Sequence, residues 1–243
     1  MALRRGVAYR YPAKDPLIDS LLVVTNDEWN RTMSSVAVVP LVPADSPNPL
    51  QPKVVPFPPL MAVIPRFVGQ IRKGDLADEI RQLEPAELEV VEDGFARWLS
   101  LAELCREAPA LPNSPAGEIN YPRWGEVYYA GDPVGGETKR YVVVTSDEWN
   151  QGTAKNDKKR VMAVRLTSKG KSGAAFPALA GANAQACCGD AVAWPIGEFD
   201  LKGRPDPPRL GLPDMVSVAW GLVDAFALGG ALQRLGLPRY KPT

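Results

Sequence analysis

Two carboxylates stand side by side at Asp147 and Glu148, and an identical pair stands at Asp27 and Glu28. Adjacent carboxylates can share general acid and base duties when their surroundings hold one protonated and the other ionised. Both pairs belong to a longer repeat. The string LLVVTNDEWN at 21–30 returns as YVVVTSDEWN at 141–150, with Val23/Val143, Val24/Val144, Thr25/Thr145, Asp27/Asp147, Glu28/Glu148, Trp29/Trp149 and Asn30/Asn150 in phase. A repeat of this length with a rare tryptophan in phase predicts one domain present twice in tandem. The copies differ in charge. Residues 139–171 carry nine cations against three anions, whereas residues 19–43 carry one cation against three anions.

Other chemistry is closed off by composition. The chain has no histidine, which removes the usual base of nucleophilic triads and the commonest transition-metal ligand. Catalysis must run on Arg, Lys, Glu, Asp, Tyr, Ser or Thr. Three cysteines, Cys105 and the adjacent Cys187 and Cys188, form neither an even framework nor a C-x-x-C spacing, so neither a disulfide scaffold nor a zinc site is expected. Cys187–Cys188 reads as a buried small-apolar segment. A net charge of zero argues against polyanion binding by the whole surface, although the local cationic stretch keeps a phosphate-binding face open.

The elements that must position these groups follow from hydrophobic pattern. Each copy opens on a glycine and a short aromatic strand, Gly6–Tyr9 and Gly125–Tyr129, and continues into a β-branched run, Leu21–Thr25 and Tyr141–Thr145. The DEWN residues that follow suit a turn or a helix cap. A further apolar run, Val36–Leu41 or Val161–Leu166, supplies the next strand. Helical spacing of Leu88, Val91, Phe95, Trp98 and Leu99 predicts a core-facing helix within 85–104, and 212–228 repeats the device with Pro213 near its start. Pro, Ala, Gly and Asn crowd residues 108–122 and mark a linker. A proline-dotted tail runs through 231–243.

At 45% hydrophobic and 23% charged the chain is expected to be globular, with room for two cores. Its apolar runs are broken by proline well short of the ~20 residues a membrane span needs. The N-terminal residues are basic without an apolar signal core, so a cytoplasmic location is the default expectation.

The second half reads GEVYYAGDPVGGETKRYVVVTSDEWN, then RVMAVRLTS, then a charged loop and a terminal helix. This resembles the MazF/PemK toxin family, whose members carry a Gly-Glu/Asp-Val-aromatic strand and a glycine-containing loop. A Lys/Arg-Arg-Pro-Val-Val-Val strand and a strand ending in Pro-Leu/Ile-Thr-Ser follow. The likeness covers most of the second half and extends more weakly to the first. It implies a mainly β fold with C-terminal helices (α+β): two tandem small curved β-barrels of the CcdB/MazF kind at 1–108 and 120–230, paired within one chain as a pseudo-dimer. It also implies metal-independent attack of a ribose 2′-hydroxyl on the adjacent phosphate of single-stranded RNA, with no cofactor, and an antitoxin protein as partner. Arg140 maps onto the family arginine and Thr167 onto the family threonine, with Lys139 and Ser168 beside them. An arginine fork and a short hydroxyl suit a phosphate passing through a more highly charged transition state. Lys158, Lys159, Arg160, Arg165 and Lys169 would then contact RNA.

The departures bear on the chemistry. Tyr141 and Arg165 replace the family prolines, and in the first copy Ser20 and Val42 stand where Arg140 and Thr167 would be. At most one site is equipped. The DEWN carboxylates persist in the copy that lacks the arginine and the threonine, which assigns them to folding. If Val144 lies opposite Ala163, Arg140 faces Thr167 across an antiparallel pair. The alternatives are a MazF-fold binding module without catalysis and, from the gyrase-poisoning CcdB branch, a protein inhibitor.

Overall fold

Gly6 and Gly125 explain how each copy begins, for both hold positive φ, +73° and +80°, which costs a side-chain-bearing residue dearly. Their amides donate to Val23 O and Val143 O at 2.9 Å, delivering the chain into β1 (Val7–Arg10) and β8 (Val127–Gly131). The computed structural model describes residues 2–12, 18, 20–43, 55–57, 61–63, 68–99, 101, 121–131, 137–145, 147, 150, 160–199 and 207–236, with side chains described for all of these except 42, 43, 55–57, 61–63, 97 and 98.

Both copies then run through the same antiparallel meander. In the first, β1 pairs β2 (Ser20–Val23), which pairs β3 (Ser35–Pro43). In the second, β8 pairs β9 (Thr138–Val143), which pairs β10 (Arg160–Thr167). The registers correspond: Val23 faces Val38 and Ser20 faces Leu41, as Val143 faces Ala163 and Arg140 faces Leu166.

The repeated polar residues lock this meander. Thr25 Oγ1 donates to Asn30 Oδ1 at 2.6 Å and Asn30 Nδ2 donates to Thr25 O at 2.9 Å; Thr145 and Asn150 make the same pair of bonds at 2.7 and 3.0 Å. All four residues are buried, where an unpaired polar group would be costly. Asp27 Oδ1 accepts from Arg5 N at 2.7 Å, and Asp147 Oδ1 from Trp124 N at 2.5 Å, tying each DEWN motif to the residue before its glycine. The motif's structural duty is met twice. In the first copy it opens helix α1 (Asp27–Thr32), whose N-cap Asn26 accepts from Trp29 N.

The larger assembly is two antiparallel sheets. One runs β4 (Val55–Phe57), β5 (Met61–Val63), β3, β2, β1, β7 (Glu79–Gln82), with β6 (Gly69–Arg72) paired to the start of β3. The other runs β11 (Ala178–Leu179), β12 (Ala184–Pro195), β10, β9, β8. The outermost strands of neither path pair with each other, so among the described residues there is no closed barrel where curved barrels were expected.

Strand alternation divides the core into three. Leu21, Val23, Val36 and Val38 face outward from the first sheet with Val7 and Tyr9, and Tyr141, Val143, Val161 and Ala163 do so from the second with Tyr128, Trp194 and Phe199. The opposite faces, Leu22 and Val39 on one sheet and Val142, Val144 and Val164 on the other, enter a single shared cluster. Strands buried on both sides need unbroken apolar runs, which both copies show. The expectation of two separate cores is therefore replaced by one common core between two outer layers.

Helices α2 (Pro85–Trp98), α3 (Leu212–Ala225) and α4 (Gly229–Arg234) seal the shared core. Val91, Phe95 and Leu99 of the predicted stripe are buried, and Phe95 stacks on Phe226 at 5.5 Å. Helix α4 occupies part of the predicted tail. Its Arg234 pairs with Asp93 at 2.8 Å and Glu92 at 3.0 Å. Among the described residues no helix is long and apolar enough to cross a membrane.

Candidate functional site

Strands β9 and β10 carry the residues singled out from the sequence to one end of the second sheet. Their recorded pairing ends at Leu166↔Arg140, one residue out of step with the expected Arg140–Thr167 pairing. Continuing the register sets Thr167 level with Lys139. Cross-strand partners share a face and successive residues alternate, so Arg140 points to the side of Val142 and Leu166, while Thr167 belongs to the side of Tyr141. The two remain close neighbours at the same end. The slip arises because each copy pairs Val23 or Val143, rather than the following valine, with the middle of the next strand.

Arg140 and Thr167 are both partly exposed. Among the described residues no carboxylate pairs with Arg140, in contrast to Arg4, Arg81 and Arg123, each held by a glutamate. Thr167 Oγ1 accepts from Lys169 N at 3.1 Å, closing a turn at the strand end and leaving its own proton to donate. Lys139 pairs with the exposed Glu137. Ser168 and Lys169 are exposed beside them. On the first sheet the matching positions are Ser20, buried at 1% exposure, and Val42, with neither cation nor hydroxyl pair.

The remaining predicted RNA contacts separate. Arg165 is committed to the seam between the copies: its guanidinium pairs with Asp190, fully buried, whose Oδ1 also accepts from Gln70 Nε2 and Ser35 Oγ of the first copy. Arg165 thereby links the two copies at this seam. Arg160 donates to Ala193 O at 3.0 Å, and burial lowers its pKa against the opposing pull of Glu198. Lys158 and Lys159 lie outside the described residues.

The Asp190 contact depends on an irregularity in β12. Opposite Val164 and Arg165 that strand places Ala191 and Cys187, so Cys188, Gly189 and Asp190 bulge out of the ladder. Trp29 of α1 lies flat against Gly189 and stacks on Phe176 at 4.9 Å, with Nε1 donating to Ser35 O at 3.1 Å. Asn26 N donates to Ala225 O and Arg5 Nη2 to Phe226 O, both at 2.7 Å. These contacts place donors and a cation at the C-terminal end of α3, where orphan carbonyls collect. Beside this seam, Glu28, Thr32, Met33, Lys171, Phe176 and Asp224 border a cleft of about 360 Å³. The sequence gives no sign of it, because its walls come from residues far apart in the chain.

Burial shapes the ionisable groups. It is the largest influence raising the Asp147 carboxyl, aided by Glu126 and opposed by the Trp124 amide and Arg209; Arg209 Nη2 stands 3.6 Å from Asp147 Oδ2. Burial likewise raises Tyr128, whose hydroxyl donates to Glu126 at 2.6 Å. It pushes the Cys187 thiol up to about 11 and the Cys188 thiol well above its ordinary range. Both thiols are inert core residues, as their sequence context implied.

No protein-family profile matches the sequence and no curated protein matches it. Among solved structures, the chain is similar to an endoribonuclease in complex with its cognate antitoxin from Mycobacterial species, at 21% identity and a TM-score of 0.37, with 49% of this chain and 99% of that one covered.

Proposed function

We propose that the chain is a tandem MazF/PemK-like protein, with domains at 1–108 and 120–230 joined as a pseudo-dimer, and that its second domain is a metal-independent endoribonuclease acting on single-stranded RNA. The observation that carries this reading is Arg140: a partly exposed arginine at a strand end, beside Thr167 and Ser168, with no carboxylate partner among the described residues. The pseudo-dimer is supported by matching registers, matching glycine entries and matching Thr–Asn locks in the two copies. A dimer built into one chain forms without dependence on concentration.

In the proposed reaction the 2′-oxygen of the substrate ribose bonds to the adjacent phosphorus as the bond to the 5′-oxygen breaks. The 2′-hydroxyl loses its proton and the departing 5′-oxygen gains one, leaving a 2′,3′-cyclic phosphate and a 5′-hydroxyl. Arg140 holds the non-bridging oxygens through two parallel donors and Thr167 donates its hydroxyl as charge builds there. Lys139 and Ser168 support the pair, and Lys158, Lys159, Arg160, Arg165 and Lys169 attract the RNA backbone by charge. An antitoxin protein is the proposed partner.

The offset between Arg140 and Thr167, which sets their side chains on opposite faces of the sheet, favours a second reading in which the domain binds RNA or a protein without cutting. One experiment separates the two. Purified protein is incubated with end-labelled single-stranded RNA in excess chelator. Under the enzyme reading, Arg140→Ala abolishes cleavage, Arg140→Lys restores little because the fork is lost, and Thr167→Val removes about 2–4 kcal/mol of transition-state stabilisation. Tight binding with no chelator-resistant cleavage overturns the enzyme reading and establishes the binding module.

A further inference from the structure

We infer that Tyr129 is a stacking platform for the nucleobase next to the phosphate held by Arg140. The inference rests on the RNA reading above and extends it to how the strand is gripped. In β8 the tyrosines at 128 and 129 alternate: Tyr128 is buried with its hydroxyl on Glu126, while Tyr129 is 48% exposed. Tyr129 is directly paired with Arg140 in the β8–β9 ladder, and Arg140 with Leu166 in the β9–β10 ladder. Directly opposed residues share a face with Cβ atoms about 4.5–5.5 Å apart, so the phenol ring and the guanidinium stand side by side at the end of the sheet. Ile80 and Val90 are the other large apolar side chains recorded as exposed among the described residues. Neither is aromatic, and Ile80 belongs to β7 of the first sheet and Val90 to α2.

The first copy provides an internal comparison. Its corresponding row is Arg10, Ser20 and Leu41, set by Arg10↔Ser20 and Ser20↔Leu41, with Val42 following where Thr167 follows Leu166. The buried tyrosine persists in both copies, as Tyr9 and Tyr128. The exposed one does not: Tyr129 is present where Arg140 and Thr167 are present and is replaced where they are replaced. A residue needed for the meander itself would be expected in both, as the Thr–Asn lock is. Single-stranded nucleic acids are held by cations that follow the backbone and by aromatic rings on which bases stack. Every base offers a π face, so such a platform admits any base and sets its position relative to the phosphate.

The test uses the full chain and an oligoribonucleotide with 2′-O-methyl riboses, which lack the attacking hydroxyl and report binding alone by fluorescence anisotropy. Tyr129→Ala is expected to weaken binding about five- to a hundredfold, while Tyr129→Phe, which keeps the ring, stays within about twofold of the parent. On an abasic oligonucleotide of equal length, which keeps the phosphates and has no bases to stack, Tyr129→Ala and the parent should bind alike. If the parent binds and Arg140→Ala weakens it but Tyr129→Ala does not, the platform is wrong and the RNA reading stands. An equal loss on abasic and normal strands also overturns the platform, since it marks a role in the fold. If the parent binds no single-stranded RNA, the RNA reading falls and Tyr129 falls with it.

Discussion

Replacing Gly189 by alanine isolates the seam between the two copies, because the position tolerates a side chain in its backbone and forbids one in its surroundings. Gly189 is not among the residues with positive φ, so alanine meets no conformational penalty. A Cβ there would stand 2.7 Å from Trp29 Cε3 and closer still to Cδ2 and Cε2, about 1 Å inside an ordinary carbon contact. Trp29 cannot yield, being 2% exposed, stacked on Phe176 and bonded to Ser35 O. Overpacking of this kind costs about 1–3 kcal/mol. Alanine also stiffens the unfolded chain, which returns about 0.4–1 kcal/mol, so the clash prevails and a net loss of about 1–2 kcal/mol is expected. For a chain of this size that lowers Tm by about 2–8 °C. The assay is urea denaturation of Gly189→Ala, Trp29→Phe and the double variant, with Gly69→Ala as control, since a Cβ at Gly69 meets only Val38 at 3.9 Å. The smaller ring should absorb most of the alanine penalty, giving a coupling of about 1–2 kcal/mol. Penalties that add to within about 0.5 kcal/mol, or a neutral Gly189→Ala, would refute the reasoning.

Further outcomes can be checked on the same footing. Thr25→Val and Thr145→Val should each cost about 1–3 kcal/mol in denaturant unfolding, because the partner Asn30 or Asn150 Oδ1 loses its buried donor, whereas serine at either position retains most of the stability. Gly125→Ala should cost about 1–2 kcal/mol through its φ of +80°, seen as a lower midpoint at constant m. Asp147 sets a pH dependence with a defined sign. Its carboxyl is raised above 3.8 by burial, so the folded state keeps a proton that the unfolded state has lost, and stability falls as pH rises through the window above 3.8. Asp147→Asn keeps the oxygen that accepts from Trp124 N and cannot ionise. Urea midpoints taken between about pH 3.5 and 6 should therefore show a shallower decline for the variant, and identical slopes would exclude this contribution.

Much of the meander was legible in the sequence because strands buried on both faces announce themselves as apolar runs. Val161–Leu166 is one such run, and the repeat showed which runs correspond. The persistence of the DEWN motif in both copies pointed to the fold, and Asp27 and Asp147 each accept a backbone amide there. Strand β12 was missed for the opposite reason. AQACCGDAVAWP is rich in small residues with low strand propensity and has no alternation, since nine consecutive positions, Ala186 to Trp194, are buried. Its Gly189 and Asp190 lie in the bulge that seats Trp29 and reaches Arg165. The one-residue register error followed from judging a pairing by motif position, which fixes order along the chain without fixing which residue faces which. Arg165 looked like one more cation in a basic stretch, because the carboxylate that engages it comes from another strand and is braced by the other copy.

The Asp190 contact joins the two halves of the repeat unequally. Where two equal chains meet about a two-fold axis, every contact is made twice and any change in sequence falls on both sides at once. Here Gln70 faces Ala37 in the first sheet at the ladder position that Ala193, facing Met162, holds in the second, and only the glutamine reaches across to a carboxylate. Two repeats carried in one chain can vary separately on each side of such a contact. The first copy can supply the brace through Gln70 and Ser35 and bury Ser20 while the second carries the partly exposed Arg140 at the matching position, a divergence that mutation of a symmetric assembly cannot reach in single steps.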